Sequence, residues 1–197
     1  MASKKSGVVA EPQNVPAVLT TVERSKYLAR VKASLAKTWS LSRAESLEGA
    51  TQLAWYLVAL GRNEEARELV EVIAGGAAAP GAANDRAVAL AARLARLAGD
   101  DARAASLSGR LRASSGSGGS VSSGPSAAKG LADAEKDVRS AEVDPSQKHA
   151  CQGFAQGCAR AAYVREAAGN DVDAGANEAV ERIIAQGLDG LRAQLGR

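Results

Sequence analysis

Three side chains in one short stretch could do chemistry. His149, Cys151 and Cys158 stand as H-x-C with a second cysteine seven residues on. Imidazole and thiolate are the donors of zinc sites and of Cys/His nucleophile pairs. The spacing argues against both. A structural zinc site takes four ligands in tight pairs, and three stand here. On one helix, positions 149 and 151 point about 200° apart and do not face each other. Cys151 and Cys158 would share a helical face about 10.5 Å apart by rise, beyond the reach of a disulfide. They read as two small buried hydrophobes. The chain contains no P-loop, no G-x-G-x-x-G and no G-x-S-x-G. The expectation is a non-enzyme with no catalytic residue, no metal site and no cofactor.

Charged side chains offer binding chemistry instead. Arg86, Arg93 and Arg96 are spaced seven and three apart, which puts them on one helical face. Guanidinium groups present planar, paired donors to carboxylate or phosphate, so this face suits an acidic segment of a partner. A second basic region lies in residues 1–39. It holds Lys4, Lys5, Arg24, Lys26, Arg30, Lys32 and Lys37 against Glu11 and Glu23. Such a stripe could track phosphates. Its one interleaved aromatic is Tyr27, which leaves no base-stacking platform, and nucleic acid is the second reading of function.

These residues need elements to position them. Hydrophobic residues make up 46% of the 197, yet aromatics make up only 3%. The apolar content is therefore mainly alanine, leucine and valine, which favours closely approaching helices over strands rich in β-branched and aromatic residues. The fold class expected is all-α, in antiparallel helix pairs. The formal net charge is +3, mildly basic. The alanine- and arginine-rich composition fits a GC-rich bacterial genome. The start of the chain lacks the apolar core of a secretory signal. No run approaches the roughly 18 apolar residues of a membrane span. The expectation is a cytoplasmic protein without membrane contact.

The chain divides by composition. Residues 1–15 read as a flexible tail. Pro16 opens a helix to about residue 38, with an apolar stripe through Val22, Leu35 and Trp39. Ser42 with Glu45 forms a capping-box signature for a helix that stops at Gly61. Asn63, then Asn84 or Asp85, and then Asp100 with Asp101 start three more. A helical domain over 16–113 follows from this pattern. A Gly/Ser-rich linker or long loop occupies 114–130. A C-terminal helical segment, 131–197, packs on or extends the array. Within it Pro145 opens a helix to about Ala168. The last helix carries a stripe through Val180, Ile184, Leu188, Leu191 and Leu195, weakened by Gly187 and Gly190 at roughly 1 kcal/mol each.

One phrase recurs. GRNEEA (61–66), GDDARA (99–104) and GNDVDA (169–174) each set a glycine five positions before an alanine. The intervals are 38 and 70 residues, near one and two units of a helical repeat. The pattern resembles the inter-helix turn of the tetratricopeptide repeat family. Around the first turn the family's small or apolar offsets fall on Ala50, Leu53, Ala54, Leu57, Ala66, Val70, Ile73 and Ala74, all apolar. The second unit matches at six of eight offsets. The third departs, with Arg165, Glu178, Glu181 and Arg182 at apolar offsets. The resemblance covers residues 47–113 and, weakly, 155–184.

The resemblance implies a concave groove lined by the first helix of each pair. It would present Glu48, Thr51, Trp55 and Val58 from the first unit, and Arg86, Arg93 and Arg96 from the second. The third would present Gln156, Tyr163 and Glu166. Trp55 and Tyr163 would supply aromatic anchors beside the arginines. The function expected is a non-catalytic protein-binding module of scaffold, chaperone or toxin-immunity type, holding a protein or peptide with an acidic surface.

Overall fold

The computed structural model describes residues 44–75, 82–115, 125–144, 149–169 and 172–195. Seven α-helices fill them: α1 (Ala44–Ala59), α2 (Asn63–Gly75), α3 (Ala82–Leu97), α4 (Asp101–Ser115), α5 (Pro125–Val143), α6 (Ala150–Ala168) and α7 (Ala174–Gln194). The described residues contain no strand. The protein is all-α. The tail, the helix expected over 17–38 and the basic N-terminal stripe lie outside the described residues, as does the start expected at Pro145. The helices on either side of the Gly/Ser segment run further into 114–130 than composition suggested. α4 continues to Ser115, and α5 already begins at Pro125, because proline is compatible with a first helical turn.

The first two glycine phrases build the same turn. Gly61 and Gly99 have φ values of 73° and 77°, the left-handed conformation that costs glycine no Cβ clash. The Gly61 N–H donates to the Val58 carbonyl at 2.9 Å and the Arg62 N–H to Leu57 at 2.8 Å. One unit later, Gly99 donates to Arg96 and Asp100 to Ala95, both at 2.9 Å. These paired bonds satisfy carbonyls that a helix end leaves open. The next helix starts two residues after each glycine. Ala66 and Ala104 donate to the carbonyls of Arg62 and Asp100 in its first turn, and both alanines are buried.

The third phrase turns differently. Gly169 has φ 62° but ψ −129°, so the chain leaves α6 in another direction. α7 begins only at Ala174, where Asp173 caps it by accepting from the Ala176 N–H at 2.6 Å. Four helices thus form two stacked hairpins, with α1 and α2 packed on α3 and α3 on α4. α6 packs against α1, α3, α4, α5 and α7, and α7 in turn reaches α1.

Small residues let α6 take that central place. Its sequence, ACQGFAQGCARAAYVREAA, buries Ala155, Cys158, Ala159, Ala161 and Ala162 together, and short side chains bring helix axes close. The glycines mark the closest contacts. A Cβ at Gly157 would lie 2.4 Å from Val138 of α5. At Gly187 it would lie 2.4 Å from the Cys158 sulfur, and at Gly190 2.4 Å from the Phe154 ring. Gly187 and Gly190 are therefore seats in α7 for two side chains of α6, a role that outweighs their low helix propensity.

Candidate functional site

The arginine face of α3 is covered by the rest of the chain. Arg86 meets Glu48 of α1 at 3.2 Å. Arg93 holds Glu181 of α7 through two parallel hydrogen bonds of 2.9 Å, the fork geometry that makes guanidinium–carboxylate pairs strong. Arg96 donates to Glu166 of α6, whose second carboxylate oxygen accepts from the Ser108 hydroxyl of α4 at 2.8 Å. Three helices thus bring carboxylates to one helical face. The acidic groups expected from a partner are supplied by α1, α6 and α7.

Burial grades these pairs. The Glu166 side chain is 2% exposed, so its two hydrogen bonds replace the water it has lost. Glu181 is 59% exposed and sits at the rim. The Arg93 hydrogen bond holds its carboxyl below the usual glutamate range, aided by the charges of Arg93 and Arg165 and opposed by desolvation. About three turns further along α7, Arg192 donates to the Ala59 carbonyl at the end of α1, at 3.2 Å.

Trp55 is in the core, not on a groove. It is 0% exposed, and its indole N–H has no hydrogen-bond partner. The offset carried over from the repeat family pointed it outward, but helix α1 is enclosed by α2, α3, α6 and α7. That enclosure leaves every residue from Ala50 to Leu60 buried. Tyr163 is half-buried against the core. It lies on the α6 edge shared with Arg160, which forms an ion pair with Asp137 of α5 at 2.7 Å. The two atoms are close but out of hydrogen-bond alignment. Burial pushes the Asp137 carboxyl above its ordinary range, with the Arg160 charge opposing it.

The cysteine and histidine side chains of the 149–158 stretch sit in different environments. Cys151 and Cys158 are free thiols. Burial pushes them to about 11 and about 12, which leaves almost no thiolate near neutral pH. The Cys158 sulfhydryl donates weakly to the Ile184 carbonyl at 3.7 Å. His149 is exposed at the start of α6 and makes no capping bond through its side chain. No group of three or more histidine, cysteine, aspartate or glutamate residues suited to a metal ion occurs among the described residues. No helix among them is long and apolar enough to cross a membrane.

Sequence reasoning missed Glu181 and Ser108. Glu181 stood as a misfit in the third repeat unit, and that misfit was the usable signal. A charge at a position expected to be apolar marks a register that differs from the repeat. The chain matches no protein-family model, no curated protein and no solved structure.

Proposed function

We propose that this protein is a non-catalytic, protein-binding helical module, of the scaffold, chaperone or toxin-immunity kind. One observation carries the reading. The face built by the two glycine-turned hairpins holds other helices through arginine–glutamate pairs, Arg93 with Glu181 and Arg96 with Glu166. It is a surface that recognises acidic helical elements. Because α6 and α7 occupy its centre, a partner meets it at the rim, where Arg93 and Glu181 reach solvent. The thiols, held protonated by burial, favour binding over nucleophilic chemistry.

A charge exchange tests this. Arg93→Glu alone and the exchange Arg93→Glu with Glu181→Arg are compared for retention of a partner crosslinked in the producing cells. The single reversal is expected to lose the partner. The exchange rebuilds the internal pair with reversed polarity, so it is expected to lose the partner as well. A partner kept by the exchange would show that Arg93 serves only internal packing, and would overturn the rim as a binding surface.

The second reading, nucleic-acid binding through the basic N-terminal helix, rests on residues outside those described. Its test is the salt dependence of oligonucleotide binding and its loss on neutralising Arg30, Lys32 and Lys37.

A further inference from the structure

A small apolar cavity lies where the ends of three helices meet. It measures about 150 Å³ and stands between the first turns of α5, the last turns of α6 and the start of α7. Ala127, Val164 and Ala168, all buried, make its floor. Leu131 and Val172 form half-buried walls, and Ala128 and Asp173 stand exposed at the mouth. The cavity thus runs from a covered apolar floor to an opening on solvent, which gives a ligand its way in.

The sequence explains why this space stays unfilled. α5 and α6 are already in close contact beside it, since a Cβ at Gly130 would lie 2.7 Å from a Val164 methyl. The two helices therefore have no room to move together and close the gap. Around it the facing side chains of these helices include the alanines at 127, 128 and 168, which are short. The third glycine phrase sets the remaining wall. After Gly169, α7 begins only at Ala174, later than the helices that follow Gly61 and Gly99, and Val172 and Ala176 border the cavity from that side.

The lining selects what fits. Apart from Asp173, every lining residue is alanine, valine or leucine. The Asp173 carboxylate is already engaged, accepting from the Ala176 N–H at 2.6 Å as the cap of α7. An anion would meet Asp173 as a like charge. A cation would meet the positive end of the α7 dipole, which Asp173 already offsets. Either would give up water against an apolar floor without a new partner there. An uncharged apolar molecule has no such cost, and apolar cavities of this size take benzene or xenon.

We propose that this cavity is a binding site for a small, uncharged apolar molecule of the size of benzene. The site is separate from the α3 rim and stands independently of the protein-binding reading. The test uses the full-length chain with isotope-labelled methyl groups and benzene as the probe. The methyl signals of Leu131, Val164 and Val172 are followed by NMR as benzene is added. Benzylamine, a cation at neutral pH, and benzoate are titrated alongside. The three residues are expected to shift and saturate with benzene, while Val70 and Leu107, in the core but outside the lining, stay in place. Benzylamine and benzoate are expected to bind about tenfold or more weakly.

Ala168→Leu fills the floor and is expected to weaken benzene binding about tenfold or more. Ala128→Leu covers the mouth from an exposed position, so it keeps the fold, and it is expected to weaken binding as well. Ala102→Leu, exposed on α4, is expected to leave binding unchanged. No saturable shift in the wild type, or shifts spread evenly through the core, would overturn the site. So would benzene binding kept in full by a folded Ala168→Leu or, where that variant does not fold, by Ala128→Leu. Benzylamine or benzoate binding as tightly as benzene at the same methyls would overturn the uncharged class. None of these outcomes touches the α3 rim, which the crosslinked partner tests.

Discussion

Arg96 of α3 and Glu166 of α6, 70 residues apart in the chain, form an ion pair in which the carboxylate is almost wholly buried and the guanidinium is partly open to solvent. Ser108 of α4 completes the site through the other oxygen. The arrangement joins the second hairpin to the helix packed against it. Breaking such a pair from one side costs more than the pair contributes, because it strands the remaining group.

Glu166→Ala is expected to destabilise the protein by about 2–4 kcal/mol, since Arg96 and Ser108 both lose a buried acceptor. Glu166→Gln keeps one acceptor and should cost less. Arg93→Ala, which opens the exposed rim pair, should cost under about 1 kcal/mol. Urea unfolding of the three variants measures this order, and equal losses would contradict it.

Glycine substitutions separate helix propensity from packing. Gly109 of α4 has nothing within 4 Å of an added Cβ, so Gly109→Ala is expected to stabilise by about 0.5–1 kcal/mol. Gly187→Ala and Gly190→Ala are helical too, but their methyls would strike Cys158 and Phe154. They are expected to destabilise by about 1–3 kcal/mol. Thermal unfolding reads the opposite signs directly.

The turn glycines make a third case. Gly61→Ala and Gly99→Ala place a Cβ at left-handed φ, at a cost of about 1–2 kcal/mol, whether or not space is available. Gly99 has that space, so a loss on Gly99→Ala isolates the backbone term.

Two carboxylates should respond to acid with opposite sign. Glu181 is held below its ordinary value. Its contribution is present above the unfolded-state pKa, about 4.3 for glutamate, and is lost as pH falls through its lower folded-state value. Asp137 is held above its ordinary value. Its relative contribution is full below the unfolded-state pKa, about 3.9 for aspartate, and is lost as pH rises through the folded-state value. In denaturant titrations between about pH 7 and 3, the stability advantage of wild type over Glu181→Gln should shrink on acidification. The difference between wild type and Asp137→Asn should move the other way. Parallel slopes would contradict the placement of either group.

Thiol labelling checks the interior. With both thiols pushed far above neutral pH, native protein should react slowly with a disulfide reagent at Cys151. It should react at Cys158 only on unfolding. Prompt reaction of both would place α6 outside the core.

The sequence alone determined the helical elements and two of the three turns. Alanine-rich periodicity, the glycines at 61 and 99 and the acidic residues after them are local signals. They act through backbone conformation and the nearest turn, so they can be read without knowing what lies beyond. It also separated an arginine face at 86, 93 and 96, because spacing on one helix is a local property. What that face meets is not local. Glu166 and Glu181 come from 70 and 88 residues further along, and only the packing of α6 and α7 decides that they cover it. Trp55 illustrates the same limit: a residue on a helix surface becomes core when helices enclose it on every side. Gly187 and Gly190 looked like flaws in a helix, and only Phe154 and Cys158 across the interface give them a purpose. The tertiary structure thus decided that the arginines of α3 are already matched by carboxylates of the same chain.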